Sequence, residues 1–169
     1  MSRTLQGKYT PRHPEKYRGD ASNIQYRSSW EREFMKYLDK TPDVIWWMSE
    51  EKCLWYDNPI DKKKHRYFPD FIVHYNRKGI EVTEMVEIKP QAQVDGPNPN
   101  PKRRTQGWMN QVHTYIINMK KWEAAAKVCE DRGWSFRLLT ERDVPGWSGT
   151  PSVPSTKRSG SRTRKGRGA

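Results

Sequence analysis

The runs HRYFPDF, residues 65–71, and VEIKP, residues 86–90, have the aromatic and β-branched content typical of β-strands. The first nevertheless places Asp70 at its centre, and the second places Glu87 and Lys89 on either side of an isoleucine. Strand interiors disfavour Asp and accept Glu and Lys only modestly. These three charged side chains therefore call for a reason beyond strand preference.

The cluster NRKG, residues 76–79, lies between the two runs and predicts a tight hairpin loop. A hairpin makes the two strands antiparallel neighbours. Residues two apart in a strand share a face, so Glu87 and Lys89 point the same way. Asp70, on the paired strand, reaches the same patch if the register allows. The sequence therefore predicts two carboxylates and a lysine on one face of a sheet.

The other periodic segments predict an α/β fold, in which a mixed β-sheet is flanked by helices. SSWEREFMKYLD, residues 28–39, has helical spacing, with Ser28 or Ser29 as its N-cap and Glu31 in its first turn. A long helix is predicted over about residues 105–131. Further strands are predicted at VIWWMS (44–49), EKCLWY (51–56) and WSFRLLT (134–140).

The charge of the chain favours a polyanionic partner, either nucleic acid or an anionic membrane surface. The formal net charge is +12 over 169 residues, and the pI is about 9.8. No apolar run approaches the roughly 20 residues that span a bilayer. The N-terminus also lacks the apolar region of a secretory signal. We therefore expect a cytosolic nucleic-acid-binding protein without a membrane segment. The sequence has no GxxxxGK[ST] stretch, which predicts that no nucleotide cofactor is used.

Composition along the chain predicts one domain with two extensions. Residues 1–26 are polar, basic and rich in Pro and Gly, and they predict an extended N-terminal arm without strands or helices. Residues 27–146 hold the periodic segments and are predicted to form the domain. Residues 147–169 are a low-complexity basic tail that is predicted to be disordered. From Ser155 onward this tail holds six Lys and Arg residues and no acid.

The charged patch contains the groups that phosphodiester hydrolysis requires. Asp70 and Glu87 would supply carboxylate oxygens for Mg²⁺, with Mn²⁺ as a second candidate ion. The carbonyl of Ile88 would be a third metal ligand, since it lies between the two charged residues of its strand. Lys89 would orient the attacking water and stabilise the charge that develops in the transition state.

Two groups outside these strands are expected to serve the site. Glu31 would complete the catalytic set by supporting a metal or the water. Glu33 is the competing helical acid, and both cannot face the metal because two residues are about 200° apart around a helix. The loop over residues 90–104 is long enough to suggest a function. Its basic end is predicted to contact the phosphates of double-stranded DNA through Lys102, Arg103 and Arg104.

The segments FPDF and EIK resemble the PD-(D/E)xK nuclease motif, and Glu31 matches the helical acid of that superfamily. The motif positions in this sequence are Pro69, Asp70, Glu87 and Lys89. A longer pattern covers about residues 7–142 and reads YTPRHPEKY…IQYRSSWEREF…HRYFPDF…EIKP…GWSFRLLT. It is similar to the head completion nucleases of T-even-type tailed phages, which are similar to the TnsA and endonuclease-I branch of the superfamily.

This resemblance implies a restriction-endonuclease-like core and a metal-dependent DNA endonuclease. Its implied role is to act on packaged phage DNA and to finish the head before the tail attaches. The implied location is the host cytoplasm during assembly, with the virion head or neck as a further candidate. Portal, neck and head proteins are candidate partners. The basic tail is not covered by the resemblance.

The same residues are compatible with two alternative functions and with a purely structural role. A structural head-closure protein could bind DNA and portal with little or no nuclease activity. A dimeric junction-resolving or transposition nuclease would share the chemistry and differ in its partners. Glu87 and Lys89 could also form an ordinary cross-strand ion pair on a solvated face, worth under about 1 kcal/mol.

Overall fold

The structure, a computed structural model, describes residues 6–143. The predicted basic tail over residues 147–169 lies outside this part of the chain. Within residues 6–143, no helix combines the length and apolar character that crossing a bilayer requires. The elements in chain order are β1 (Gly7–Tyr9), a 3₁₀ turn (Pro14–Lys16), β2 (Ile24–Tyr26), α1 (Ser29–Lys40), β3 (Val44–Ser49), β4 (Leu54–Asn58), β5 (Lys63–Tyr67), β6 (Phe71–Arg77), β7 (Ile80–Ile88), α2 (Gln91–Asp95), α3 (Gln106–Arg132) and β8 (Ser135–Leu139).

The central sheet has four strands in the order β3–β6–β7–β8. β6 is antiparallel to both β3 and β7, whereas β7 and β8 are parallel. Parallel neighbours need a long crossover connection, and α3 lies in that connection. The mixed sheet flanked by helices that the sequence predicted is therefore confirmed.

Helices α1 and α3 cover opposite faces of this sheet. Phe34 and Leu38 of α1 belong to one buried hydrophobic cluster together with Phe71 of β6. Ala125 of α3 belongs to a second cluster together with Ile72, the next residue of β6. Consecutive strand residues point to opposite faces, so the two clusters lie on either side of the sheet.

The predicted hairpin is confirmed as the β6–β7 pair. The two strands pair from Phe71 opposite Val86 as far as the turn over residues 77–80. Both central turn residues have positive φ, as a two-residue hairpin turn requires. Extending the register by one residue places Asp70 opposite Glu87. The hairpin therefore brings together the charged residues of the two runs.

The prediction that the run HRYFPDF, residues 65–71, lies in one strand is wrong, because the chain divides it between two strands. β5 ends at Tyr67 and pairs with β4 in a separate two-stranded sheet, and β6 begins at Phe71. Pro69 lies between these two strands. It has no backbone N–H, so inside a strand it would leave one hydrogen bond of the ladder unformed. Asp70 therefore stands at the entrance of β6 and not at the centre of a strand.

The segment predicted as an extended arm without strands is structured over its described residues, 6–26. β1 and β2 pair with each other in antiparallel register. Tyr17 and Ile24 are buried in the same cluster as α1 and the central sheet. The three-residue strands are too short to produce a detectable period, which accounts for the error. The predicted domain boundary at residue 26 stays a prediction.

Asp39, near the end of α1, fastens this N-terminal segment to the domain. The buried carboxylate accepts hydrogen bonds from the Tyr9 hydroxyl at 3.0 Å, the Arg12 amide at 2.7 Å and the His13 amide at 2.9 Å. Lys16 Nζ donates to three backbone carbonyls at the C-terminal end of α1. A cation there satisfies carbonyls that lack helical partners.

The loop over residues 90–104 also contains more structure than the sequence predicted. Its first residues form the short helix α2, and the rest of the loop is attached to α3. Gly96 has a φ of +80° and lies directly under the Tyr115 ring, where a side chain would collide. Trp108 Nε1 donates to the Asn98 carbonyl at 2.8 Å. The loop is therefore held against the first turns of α3.

Candidate active site

Asp70 is fixed by the end of the neighbouring strand. The Ile88 amide of β7 donates to Asp70 Oδ2 at 2.8 Å. The Asp70 amide in turn donates to Glu87 Oε2 at 3.3 Å. The β6–β7 register predicted these contacts, because it places the first residue before β6 beside the last residues of β7.

Glu87 is almost completely buried, with 2% of its surface exposed. Its Oε2 accepts a hydrogen bond from the Tyr67 hydroxyl at 2.6 Å, and its Oε1 lies 3.0 Å from Lys89 Nζ. A buried carboxylate is tolerated only when such partners are present. The structure thus brings Asp70, Glu87 and Lys89 together, as the sequence predicted, and their chemical roles stay predictions.

The charges of this cluster shift the pKa values of Asp70 and Lys89. Burial, and then the charge of Glu87, raises the pKa of Asp70 well above its ordinary value. Burial lowers the pKa of Lys89, but the carboxylates of Asp70 and Glu87 outweigh that effect and the net pKa is raised. Lys89 therefore faces the half-buried Asp70 carboxyl and the buried Glu87 carboxylate, and Lys121 of α3 adds a second positive charge nearby.

The same donor set fits a divalent cation that prefers oxygen ligands. Among residues 6–143, no group of three or more His, Cys, Asp and Glu side chains is placed to hold a metal. The predicted ligands need only two carboxylates, from Asp70 and Glu87, together with the carbonyl of Ile88. The N–H and C=O of one strand residue point to the same edge, so that carbonyl faces the side of Asp70. Mg²⁺ commonly uses one or two carboxylates and keeps several waters.

Glu31 has a structural role that the sequence analysis did not predict. Ser28 caps α1 by accepting from the Glu31 amide at 3.1 Å, and its hydroxyl donates to Glu31 Oε1 at 3.0 Å. The Arg27 amide donates to Glu31 Oε2 at 2.9 Å. These contacts are a variant of the capping box, in which the amide of Arg27, one residue before the N-cap, donates to the carboxylate, and both carboxylate oxygens are engaged. The charge of Glu31 still contributes to the raised pKa of Asp70 and of Lys89.

Glu33, the competing helical acid, does not approach this cluster through any contact of its own. Its Oε1 lies 3.1 Å from Lys36 Nζ and 3.5 Å from an Arg32 nitrogen, on the outer surface of α1. The preference for Glu31 over Glu33 therefore agrees with the geometry. The catalytic role of Glu31 stays a prediction.

Lys121 of α3 is a site residue that the sequence analysis missed. Its ammonium lies 5.6 Å from the centre of the Tyr56 ring and 5.7 Å from that of the Tyr67 ring. Burial, followed by the positive charge of Lys89, lowers the pKa of Lys121. Nothing in the sequence distinguishes this lysine from the solvated lysines of a long helix, because the crossover of α3 alone brings it here.

Arg27 and Glu50 form a second pair beside Asp70. The Arg27 Nε lies 3.2 Å from Glu50 Oε1, and the Glu50 amide donates to the Asp70 carbonyl at 3.2 Å. Glu50 has a φ of 52°, which is uncommon for a residue with a side chain and often marks a functional region. This pair lies at the end of β3 and closes that side of the cluster.

The predicted DNA-contacting cations lie apart from these hydrogen bonds, immediately before α3. All three are exposed, and the Arg104 guanidinium lies 5.8 Å from the centre of the Trp108 ring. Exposure leaves these side chains available to phosphates. DNA binding by Lys102, Arg103 and Arg104 stays a prediction.

Residues 41–141, more than half of the chain, match the family model described as TnsA-like endonuclease N terminal. The matched region runs from before β3 to after β8 and includes Asp70, Glu87 and Lys89, whereas Glu31 lies outside it. The chain therefore belongs to the TnsA-like endonuclease family. It is also 39% identical over 138 residues to the Head completion nuclease of Enterobacteria phage T4, covering 80% of this chain and 90% of that protein. No solved structure matches the chain. The resemblance inferred from the sequence is confirmed.

Proposed function

We propose that this protein is a metal-dependent DNA endonuclease that acts in phage head completion, after DNA packaging and before tail attachment. One observation carries the proposal. The half-buried carboxyl group of Asp70, the buried carboxylate of Glu87 and the Lys89 ammonium lie within the region that matches an endonuclease family. The similarity to a nuclease of phage head completion supports the biological setting.

Mg²⁺ is the proposed ion, and Mn²⁺ is an alternative. Asp70, Glu87 and the Ile88 carbonyl would hold it. When bound, the ion would lower the pKa of a coordinated water and neutralise charge on the phosphate. The oxygen donors of two neighbouring carboxyl groups and of a strand carbonyl support this assignment.

The side chains of the site have separate tasks in this proposal. Lys89 would orient the attacking water and stabilise charge on the transferred phosphate. Tyr67 fixes Glu87 through the 2.6 Å hydrogen bond, which leaves the other carboxylate oxygen beside Lys89. Glu31 would act through its charge, since its oxygens already have donors in the capping box.

Double-stranded DNA is the proposed substrate, and Lys102, Arg103 and Arg104 are proposed to contact its phosphates. Contacts of this kind depend strongly on salt and carry little sequence preference. Portal, neck or head proteins are the proposed partners. The proposed place of action is the host cytoplasm during head assembly, and presence in the virion is a further proposal.

Nicking of supercoiled plasmid tests this function. Wild type is compared with Asp70→Asn and Lys89→Ala in Mg²⁺ and in Mn²⁺, and circular dichroism confirms that each variant is folded. Lys36→Ala is the matched control, because Lys36 pairs with Glu33 on the exposed side of α1. We expect wild type and the control to cut and both site variants to lose activity.

If wild type binds DNA and never cuts with either ion, the enzyme proposal fails. The structural head-closure role then accounts better for the fold and the charge. The same DNA-binding measurement on Asp70→Asn separates a loss of chemistry from a loss of binding. A dimeric nuclease would instead be indicated by concerted cutting of both strands together with a dimer in solution.

A further inference from the structure

The β4–β5 hairpin presents one face to the protein and the other to solvent. Trp55 pairs with Arg66, and Asp57 pairs with Lys64, in antiparallel register. Tyr56 and Tyr67 point the other way and are buried near α3. We call the solvent side, which carries Trp55, Asp57, Lys64 and Arg66, together with the exposed Phe68 directly after β5, the outer face of the hairpin.

Two large aromatic side chains are exposed on this outer face. Trp55 is 59% exposed and Phe68 is 41% exposed. Single exposed apolar residues are common on proteins. Here, however, Trp55 lies with a guanidinium and an ammonium on one two-stranded ribbon, and Phe68 follows directly after its second strand. This combination is the composition of surfaces that bind nucleic-acid bases and phosphates together.

The outer face borders the candidate active site. Phe68 lies two residues before Asp70, a separation of at most about 7 Å along the chain. Its neighbour Tyr67 donates to Glu87. A strand of DNA whose phosphate reaches Asp70 and Glu87 would therefore have an adjacent nucleotide close to Phe68.

The charge of the hairpin also suits DNA. Its turn and second strand carry four cations and only one acid, while the first strand contributes one further acid. Lys64 Nζ lies 3.3 Å from an Asp57 oxygen, and both side chains are largely exposed, so this pair is weak. The four cations are Lys62, Lys63, Lys64 and Arg66.

We propose that the outer face of the hairpin stacks unpaired DNA bases beside the scissile phosphate, through Trp55 and Phe68. This proposal rests on the proposed nuclease function and names its substrate class, which is DNA with a single-stranded segment at the cut. The base faces of an intact duplex are hidden by stacking, so a duplex would use only the cations of this surface. Unpaired bases expose the faces that aromatic rings can cover.

Binding of fluorescent DNA by the full-length protein, with EDTA present, tests the proposal. The probes are a single strand, a blunt duplex of the same sequence, and that duplex with a 3′ single-stranded extension. Trp55→Ala and Phe68→Ala should each weaken binding of the single strand and the extended duplex by about 5- to 150-fold. Binding of the blunt duplex should change less than about twofold, and Trp55→Phe should keep most of the affinity.

Ile80→Ala is the matched control, because Ile80 is 67% exposed and lies at the far end of β7 from Glu87. Equal weakening for all three probes overturns the assignment to unpaired bases, and so does no weakening for any of them. Chelation makes this test independent of catalysis. Wild type could fail to cut plasmid while Trp55→Ala and Phe68→Ala still weaken single-strand binding. That result would support the base-stacking surface and contradict the proposed nuclease function.

Discussion

Each oxygen of the buried Glu87 carboxylate has its own partner, and this arrangement sets the chemistry of the site. Tyr67 donates to one oxygen, and Lys89 lies beside the other. Burial, and then the charge of Glu87, raises the pKa of the Tyr67 hydroxyl, so it remains a donor throughout the working pH range. Single side chains therefore control the orientation of the carboxylate that is proposed to hold the metal.

Replacing Tyr67 by Phe should reduce plasmid cutting about 10-fold, because the Glu87 carboxylate would lose a buried donor. The free energy of unfolding should fall by about 1–2 kcal/mol. Tyr75→Phe is the matched control, since the Tyr75 hydroxyl of β6 donates to Glu84 of β7 at 2.9 Å, away from the site. Initial cutting rates and urea titrations measure both variants. Equal activity loss in the two would contradict a positioning role for Tyr67.

Cys129 should resist thiol reagents until the protein unfolds. Burial raises the pKa of its thiol from 9.0 to about 11, whereas Cys53 is exposed. The Cys129 thiol ionises at lower pH in the unfolded chain than in the folded protein. Its ionisation therefore lowers the free energy of unfolding as the pH rises from about 9 to about 11. Iodoacetamide labelling followed by mass spectrometry should modify Cys53 quickly and Cys129 slowly. Fast labelling of both at pH 8 would contradict the burial of Cys129.

The start of α1 shows how one residue can serve an element and a site together. The Ser28 hydroxyl accepts from the Glu31 amide and donates to the Glu31 carboxylate, and Glu31 also acts electrostatically on Asp70. Removal of Glu31 would therefore disturb helix and site at once. Two substitutions separate these contributions.

Ser28→Ala should lower the free energy of unfolding by about 1 kcal/mol, because α1 would lose its N-cap. Glu31→Gln should keep most of the stability, since glutamine also suits the capping box. If the charge of Glu31 serves catalysis, Glu31→Gln should cut plasmid more slowly than Ser28→Ala does. Thermal unfolding and nicking rates provide the comparison. Full activity in Glu31→Gln would restrict Glu31 to its helical role.

The sequence predicted the elements whose signals are local. The β6–β7 hairpin has a turn cluster between two apolar runs, and α1 and α3 have long helical periods with clear caps. The break at Pro69 was missed because the flanking residues continue a strand-like composition. Lys121 was missed for a different reason, since only the path of α3 across the sheet brings it near Lys89.

Across the domain as a whole, the N-terminal segment is part of the folded unit. It contributes Tyr17 and Ile24 to the core, and it is tied to α1 through Asp39. The polar composition of residues 1–26 concealed these contacts, because a few buried side chains and backbone hydrogen bonds leave no period. Composition alone therefore underestimated how much of the chain folds.

Asp39→Ala should lower the free energy of unfolding by about 2–4 kcal/mol, because two backbone amides and a tyrosine hydroxyl would lose their shared acceptor. Within residues 6–143, limited trypsin digestion should then cut first at Lys8, Arg12 or Lys16. Asp20→Ala is the control, since the exposed Asp20 carboxylate accepts from nearby Ser22. Unchanged digestion of Asp39→Ala would contradict the fastening role of Asp39.

Deletion of residues 148–169 should flatten the salt dependence of DNA binding if the basic tail contacts phosphates. Six cations lie in the tail from residue 155 onward, so the slope of log affinity against log salt should decrease in magnitude by up to about 5. A chain with these six residues changed to Gln should behave like the deletion. An unchanged slope would instead favour an acidic protein as the partner of the tail.

The β4–β5 hairpin leaves the central sheet and returns to it at adjacent positions, since Ser49 is paired with Phe71. Residues 50–70 therefore form an insertion between β3 and β6. This insertion can change in length or in its outward side chains without shifting the register of the two strands. Within residues 50–70, the proposed site constrains Glu50 at the start and the residues from Tyr67 to Asp70 at the end. The proposed DNA contacts on the outer face of the hairpin can therefore change while the strands that position Asp70 and Glu87 keep their register.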